Sequence, residues 1–289
     1  MRLHLGFEMQ YRFPERTPMI LTVNVHSSRS RDLLQPDRLT TEPSVAMSTH
    51  RDAFGNLCRR LVAPAGRLRI RADTTLLDCG EPDPVHPLAT ERMLERLPAD
   101  VLPYLMGSRY CETDLLAPTA WDLFGTGPTG WERVTAICEF VHRHITFDYQ
   151  RASSTRTALD AYREGAGVCR DYAHLAIAFC RSLNIPARYC TGYLGDIGTP
   201  PPYGPGDFAA WFEAWLDGRW HTFDPRNNVP RIGRVLVARG RDACDVPLAC
   251  IFGPSILEHF EVWTNELPDD PVLDAYARIA PVRAGGCLS

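Results

Sequence analysis

Residues 165–183 read GAGVCRDYAHLAIAFCRSL, and this stretch decides the fold. Small residues lead into Cys169, and apolar positions then recur every three or four residues, which predicts a helix. Asn184 and Pro186 favour its end. Cys169 therefore lies in the first turn, where unpaired backbone N–H groups and the helix dipole favour a thiolate. The alternative is a thiol that only packs at the start of a helix.

A second stretch, DFAAWFEAWLDGRWHTFD at 207–224, predicts a β-hairpin. Asp-Gly at 217–218 lies between two alternating runs, which is a strong short-range signal for a hairpin turn. Counting back from this turn sets Trp211 opposite Asp224. Since side chains two residues apart share a face of the strand, Ala209, Trp211 and Asp224 point to the same side. A histidine at position 209 would lie within reach of the carboxylate.

Together, these stretches resemble the bacterial transglutaminase-like superfamily. The resemblance is carried by the GVCRDYAHLAIAF block, the AAWFEA strand and the HTFDP strand. It implies a papain-like α+β core in which Cys169 is the nucleophile and Asp224 orients the base. It also implies a histidine where this chain has Ala209. The family chemistry is attack of a thiolate on an amide carbonyl, giving a thioester that water or an amine resolves.

Alanine at position 209 leaves this expected triad without its base. Loss of a general base typically costs about 10²–10⁴ in rate. His174 follows Cys169 by five residues and lies about 140° around the helix, so we expect a structural hydrogen-bonding role more than a place in the site. Two functions stay open. One is a cysteine acyl-transfer enzyme that recruits a base from elsewhere, and the other is a pseudoenzyme that binds a peptide or protein partner in the retained groove.

Two aromatic residues are further candidates for lining the site. Trp211 either lines an acyl-substrate groove or packs in the core, which is the commoner role of aromatic residues in a central hairpin. Tyr149 precedes Cys169 by twenty residues and is a candidate hydroxyl near the oxyanion.

The texture of the sequence predicts more than one domain. Short alternating runs before residue 80 indicate an antiparallel β-sandwich, and with its DAFGN turn this region resembles the N-terminal domain often attached to the family core. A Thr129–Glu132 capping box predicts the start of one helix, and a second, short helix is expected over 157–164. The predicted division is a β-rich domain at 1–80, a joint at 81–127, the core at 128–235, and an extension packing on the core at 236–289.

Composition excludes several classes of function. The chain has 289 residues, 45% of them hydrophobic, and a net charge of −4 with its basic residues interspersed among acids, which argues against nucleic-acid and membrane-surface binding. No apolar run approaches the roughly 18 residues that span a bilayer, and the first residues lack the apolar core of a signal peptide. We therefore expect a cytoplasmic protein, and the resemblance implies that its partner is a peptide or protein substrate.

The ten cysteines indicate neither a disulfide framework nor a metal site. They include no CxxC pair, and the closest two, Cys244 and Cys250, lack a histidine at zinc-finger spacing. We expect most of them to be reduced and buried, and we expect no cofactor and no metal. The sequence does not indicate an oligomeric state.

Overall fold

Alternating apolar residues in the first part of the chain build two antiparallel four-stranded sheets. The computed structural model describes residues 1–201, 203–204 and 206–268. The first sheet contains, in spatial order, β14 (Ile256–Leu267), β1 (Arg2–Phe13), β6 (Gly66–Leu77) and β3 (Thr40–Glu42). The second contains β13 (Ala249–Ile251), β2 (Thr17–Leu21), β5 (Leu57–Ala63) and β4 (Ser48–Arg51).

Strand periodicity explains why these two sheets form a sandwich. In β1, Leu3, Leu5 and Phe7 have no exposed surface, whereas Arg12 between two buried neighbours is exposed. The buried side chains of β1, β2, β5 and β6 belong to one hydrophobic cluster, because residues two apart on a strand face the same side. The predicted N-terminal antiparallel sandwich is confirmed.

The rest of the chain forms helices around a third sheet, which gives the predicted α+β architecture. This sheet contains, in spatial order, β11 (Arg219–Phe223), β10 (Phe208–Leu216), β9 (Ala187–Tyr193) and β12 (Val235–Gly240). The helices are α1 (Thr113–Phe124), α2 (Trp131–His144), α3 (Ala158–Glu164) and α4 (Cys169–Ser182). A short parallel pair, β7 (Thr146–Phe147) and β8 (Ala166–Gly167), precedes α4.

Helix α4 is the centre of this part of the protein. It contacts β9 and β10 on one side and the other three helices on the other, and every residue from Asp171 to Arg181 is buried. Its polar side chains therefore need internal partners. The Arg181 guanidinium donates to the carbonyls of Met106, Ala187 and Arg241 and to a serine hydroxyl. The helix ends as predicted, with Asn184 in the left-handed conformation at φ 64°.

The hairpin of β10 and β11 has the register that the Asp-Gly turn predicts. Leu216 pairs with Arg219 and Ala214 with His221, without a bulge. Asp217 and Gly218 both have positive φ, 49° and 85°, which is the geometry of a tight hairpin turn. Asp224 follows the last residue of β11 directly, one position beyond the pair of Phe212 with Phe223, so its position opposite Trp211 stays a prediction.

Two predictions about helices were wrong, and one was confirmed. Helix α2 has no side-chain cap: Gly130 is its N-cap, and the N–H groups of Gly130 and Trp131 donate to residues 91 and 89. The expected capping box is thus replaced by contacts with a distant segment. Helix α1 lies where only a joint was expected, and it contains Pro118. The short helix α3 was predicted, and it begins with a capping box between Thr157 and Asp160.

The segment after residue 235 divides between the two parts of the molecule. Strand β12 joins the sheet of the core, whereas β13 and β14 join the two sheets of the sandwich. This segment thus adds strands to the sandwich as well as to the core, and the domain boundaries themselves stay a prediction. Residues 269–289, with Cys287, lie outside the described residues. No helix among the described residues is long and apolar enough to cross a membrane.

Burial lowers the pKa of three histidines, and this makes stability depend on pH. The pKa values of His26 and His221 fall to about 4, and that of His174 lies well below its ordinary value. An unfolded histidine titrates near 6.5, so protons bind the unfolded chain preferentially below that pH. We expect the contribution of these histidines to the free energy of unfolding to be constant above about pH 7.5 and to fall as the pH decreases toward about 4. Over this pH range, the titration of His221 alone lowers the free energy of unfolding by about 3 kcal/mol.

Urea unfolding between about pH 8 and pH 4 measures this slope in the intact chain and in His221→Phe. The variant keeps a ring beside His86 and Trp131, whose centroids lie 4.9 and 5.5 Å from that of His221, but it cannot bind a proton. A shallower slope is expected. His259→Phe is the matched control, since the His259 side chain is 47% exposed, and it should keep the original slope. An unchanged slope in His221→Phe contradicts the prediction.

Candidate active site

Cys169 is the first residue of α4, as the sequence predicts. The turn before it is held by Asp171, whose carboxylate accepts a hydrogen bond from the Val168 N–H at 2.8 Å. This approach requires glycine at position 167, because a Cβ there would lie 2.5 Å from Asp171 Oδ2. The small residues ahead of the cysteine thus serve the folding of the turn. Cys169 itself is half-buried.

The environment of the Cys169 thiol opposes ionisation. Burial, together with the negative charge of Asp207, raises the pKa of the thiol to about 12. The Ala210 N–H directed at the sulfur and the Arg226 guanidinium act in the opposite direction but are outweighed. The sequence predicted that the helix N-terminus favours a thiolate. Desolvation and the acidic neighbours act in the opposite direction to that predicted effect.

A cavity of about 560 Å³ opens beside Cys169. Its walls come from parts of the chain that are far apart in sequence. They are Phe147 and Tyr149, Cys169, residues 194–197, 203–204 and 206–210, residues 226, 227 and 231, and residues 262–266 of β14. A strand of the sandwich therefore forms one wall of a cavity whose cysteine belongs to the core.

Asp224 lies beneath this cavity and is fully engaged. It is buried, and its Oδ1 accepts the Asn227 backbone N–H at 3.0 Å. Its Oδ2 accepts the Asn227 side-chain amide at 2.7 Å and Arg234 Nη2 at 2.9 Å. Asn227 itself lines the cavity, and Asp224 is not among the lining residues. The side-chain amide of Asn227 therefore donates to the carboxylate that the triad pattern assigns to an imidazole.

Arg234 links the Asp224 carboxylate to Asp83, which lies in the segment before the helices. Its guanidinium donates to Asp83 at 2.9–3.2 Å as well as to Asp224, and its Cζ lies 4.6 Å from the centre of the Trp211 ring. The Arg234 side chain is only 7% exposed. The two carboxylates and their hydrogen bonds raise the pKa of Arg234 despite its burial. The structure thus places this arginine in a buried charge network.

Ala209 lies at the cavity wall, on the strand that faces β9. It is half-buried and pairs with Gly192 of β9, and its carbonyl accepts a hydrogen bond from the Thr191 hydroxyl at 3.0 Å. All nine histidines lie within the described residues, and none of them lines the cavity. His142 comes near the end of β11, where its Nδ1 lies 3.1 Å from the carbonyls of Pro225 and Arg226. In the described part of the chain, no imidazole occupies the place of the missing base.

Of the other three candidate site residues, Tyr149 lines the cavity, whereas Trp211 and His174 do not. Tyr149 lines the cavity and is 47% exposed, with its pKa raised by burial and by Asp207. Trp211 is buried beneath Arg234 and is not among the lining residues. His174 is also away from the cavity: it is fully buried, stacks on Tyr110 and accepts the Ala243 N–H at Nε2. Neither Trp211 nor His174 lines the cavity, and both have the enclosed, structural roles that the sequence favoured over a place in the site.

Two residues of the cavity, Asp207 and Asn227, were not predicted from the sequence. Asp207 immediately precedes β10. Asn227 is bound to Asp224, and the Oδ1 of Asn227 accepts hydrogen bonds from Arg226 and Arg231 at 2.9 Å each. Strand parity offered a signal for Asp207, because it lies two residues before Ala209 and so shares its face. Nothing local pointed to Asn227.

Among the described residues, no group of three His, Cys, Asp or Glu side chains could hold a metal ion.

Comparison with known proteins gives a consistent assignment. Residues 120–225 match the family model of the transglutaminase-like superfamily. The uncharacterized protein Rv2569c of Mycobacterium tuberculosis is 30% identical, with 85% of this chain and 88% of the relative covered. The uncharacterized protein ML0607 of Mycobacterium leprae is 39% identical over 103 residues, covering 33% of this chain and 36% of the relative.

A solved structure supports the same assignment at the level of the fold. A Cytophaga hutchinsonii protein, provisionally classed as a cysteine protease, superposes with a TM-score of 0.77 at 29% identity, and the match covers 93% of this chain and 92% of that one. The similarity thus extends over both the sandwich and the core. This chain belongs to the transglutaminase-like superfamily.

Proposed function

We propose that this protein binds a peptide segment of a partner protein in the cavity beside Cys169, and that acyl transfer to the cysteine is slow because position 209 is alanine. The observation that carries the proposal is the cavity itself. It has about 560 Å³, it is lined by Cys169 and Ala209, and no histidine in the described part of the chain reaches it. Cavities of this size hold ligands of drug-like dimensions, such as two or three residues of a peptide.

Magnitudes argue against rapid chemistry in the isolated chain. Burial and the charge of Asp207 raise the pKa of the Cys169 thiol, so its thiolate fraction at pH 7 is smaller than the few per cent of an ordinary cysteine. The Asp224 carboxylate is already engaged, since Arg234 and Asn227 donate to its oxygens. Among the described residues that line the cavity, no histidine accompanies this nucleophilic atom to act as its base.

A second candidate function is acyl transfer with a base supplied by the substrate or by a partner. It is favoured by the position of Cys169 at the start of α4, where the Ala210 N–H is directed at the sulfur and the residue opens onto the cavity. Such donors stabilise a thiolate or an oxyanion once it forms. An incoming imidazole or amine would then complete the site.

The reactivity of the Cys169 thiol distinguishes these two functions. We expect its rate of modification by iodoacetamide to keep rising beyond about pH 9, because burial raises the pKa of the thiol to about 12. Mass spectrometry of the modified peptide measures the rate separately for each cysteine. A short capped cysteine peptide is the reference and should level off once its thiol, with pKa near 8.5, has ionised. A Cys169 rate that reaches its plateau below pH 8 contradicts the proposal and supports an activated nucleophile.

Restoring the histidine is the second test. Ala209→His places an imidazole on the cavity wall, and we expect peptide amidase or amine-transfer activity at least about 10²-fold above that of the unmodified chain. Ala209→Gln is the matched control, with a similar size but no basic nitrogen, and it should stay inactive. Adding Cys169→Ser to Ala209→His should abolish the gain. An unmodified chain as active as Ala209→His would show that position 209 does not limit the chemistry.

A further inference from the structure

Strand β14 is an edge strand, and part of its outer backbone edge is open. It pairs with β1 on one side, and no described strand pairs with it on the other. From Val262 onward the loop after β9 packs against β14, since a Cβ on Gly206 would collide with the Val262 carbonyl and one on Gly195 with that of Thr264. All residues from 256 to 261 are exposed, whereas Val262 is buried. The open stretch is therefore 256–261.

Large apolar side chains remain exposed along this stretch. Ile256 is 63% exposed, Leu257 50% and Phe260 37%. Every other edge strand in the described part of the chain has six residues or fewer, whereas β14 has 12. Proteins usually keep their edge strands short or covered, because a long apolar edge is a template for a further strand. The stretch 256–261 thus has the properties of a surface that pairs with another strand.

A β-bulge in this stretch sets which side chains face the core. The register with β1 shifts there, and Glu258 has no Cα partner in β1. Leu257 and Phe260 lie opposite buried residues of β1, so they point to the core side of the sheet. The other four residues point outward, because each lies opposite a polar residue of β1 or hydrogen-bonds to polar side chains of that face: Ile256, Glu258, His259 and Glu261.

The order of faces along 256–261 is the same in both directions: outward, inward, outward, outward, inward, outward. A straight strand alternates strictly, so it loses this match on one side of the bulge. An antiparallel strand centred between Glu258 and His259 matches every position only if it carries the same extra residue there. The β14 of a second copy does so, since a two-fold axis perpendicular to the sheet keeps the faces of both strands.

The side chains that meet in this pairing are complementary. Leu257 lies opposite Phe260 of the second copy, and Glu258 lies opposite the second copy's His259, whose ring N–H can donate to the carboxylate. By symmetry each pair occurs twice. The two Glu258 carboxylates near the axis do not oppose the contact, because Arg12 and Arg67 already bind each of them within its own chain.

We propose that the protein forms a two-fold symmetric dimer in which residues 256–261 of two copies pair as antiparallel strands. The two four-stranded sheets then become one sheet of eight strands, and the exposed apolar residues of both edges are buried. This inference is independent of the chemistry at Cys169. It nevertheless concerns the cavity, because residues 262–266 of the same strand form one of its walls.

Sedimentation velocity of the full-length chain, measured as a function of concentration, tests the dimer. We expect a dimer that dissociates on dilution. Leu257→Glu should raise the dissociation constant at least about tenfold, because it places a carboxylate against an apolar ring in the interface. Val62→Glu is the matched control and should leave the constant unchanged, since Val62 is an apolar residue of β5 with a similar exposed fraction, 42%.

A charge pair across the interface tests the register. Phe260→Arg alone should weaken the dimer, because the guanidinium then faces Leu257 of the second copy. Mixing this variant with Leu257→Glu should restore dimers that contain one chain of each kind, since the two introduced charges lie opposite each other. Mixing Phe260→Arg with Val62→Glu should not restore them. Circular dichroism checks that each variant is folded.

Hydrogen exchange of the unmodified chain is a readout that needs no variant. Protection of the amides in 256–261 should rise with protein concentration. A chain that stays monomeric overturns the inference, and so does protection that is independent of concentration, which would assign the edge to another segment of the same chain. A dimer that Leu257→Glu leaves intact overturns the choice of this edge. A mixture of folded variants that stays monomeric overturns the register.

Discussion

The buried guanidinium of Arg234 is the contact on which the arrangement of the site depends. It lies between the carboxylates of Asp83 and Asp224 and above the Trp211 ring. Three segments distant in sequence therefore meet at one positive charge. A buried ion pair contributes little net stability compared with well-packed apolar residues, but removing one partner leaves an uncompensated charge and costs roughly 3–5 kcal/mol. The role of Arg234 is therefore to fix the position of Asp224 at the end of the hairpin.

This network also bears on the slow chemistry that we propose for the site. Asp224 accepts hydrogen bonds from Asn227 and Arg234, and Asn227 lines the cavity, whereas Asp224 does not. The negative charge of Asp207 acts with burial to raise the pKa of the Cys169 thiol. Under the proposed function, the effect of alanine at position 209 therefore depends also on the charges around it.

The local parts of the fold could be predicted from the sequence, and the long-range parts could not. The Asp-Gly turn fixes the hairpin register, and the apolar spacing after Cys169 fixes α4, because both signals lie within a few residues. The start of α2 was wrong because its N–H groups donate to residues 89 and 91, some 40 positions away. Helix α1 was missed because Pro118 and the surrounding Pro and Gly residues indicate a loop.

In the candidate site, too, the features with a local signal could be predicted from the sequence and the long-range ones could not. Cys169, Ala209 and Asp224 come from patterns on single elements, and the structure places them at the start of α4, in β10 and directly after β11. The ionisation of the thiol is different, because it depends on burial and on Asp207, which no spacing rule supplies. The burial of Arg234 likewise depends on contacts between distant parts of the chain. Its partner Asp83 lies about 150 residues earlier in the chain, and a pairing over that distance leaves no local signal.

Strand β14 links the sandwich to the cavity of the core. It pairs with β1 along almost its whole length, and residues 262–266 of the same strand form a wall of the cavity. A ligand there touches a strand of the sandwich and the start of α4 at the same time. Its binding free energy therefore adds to the stability of both parts, since unfolding either one would release it. The sandwich is thus one side of the binding cavity, and the cysteine-bearing core is the other.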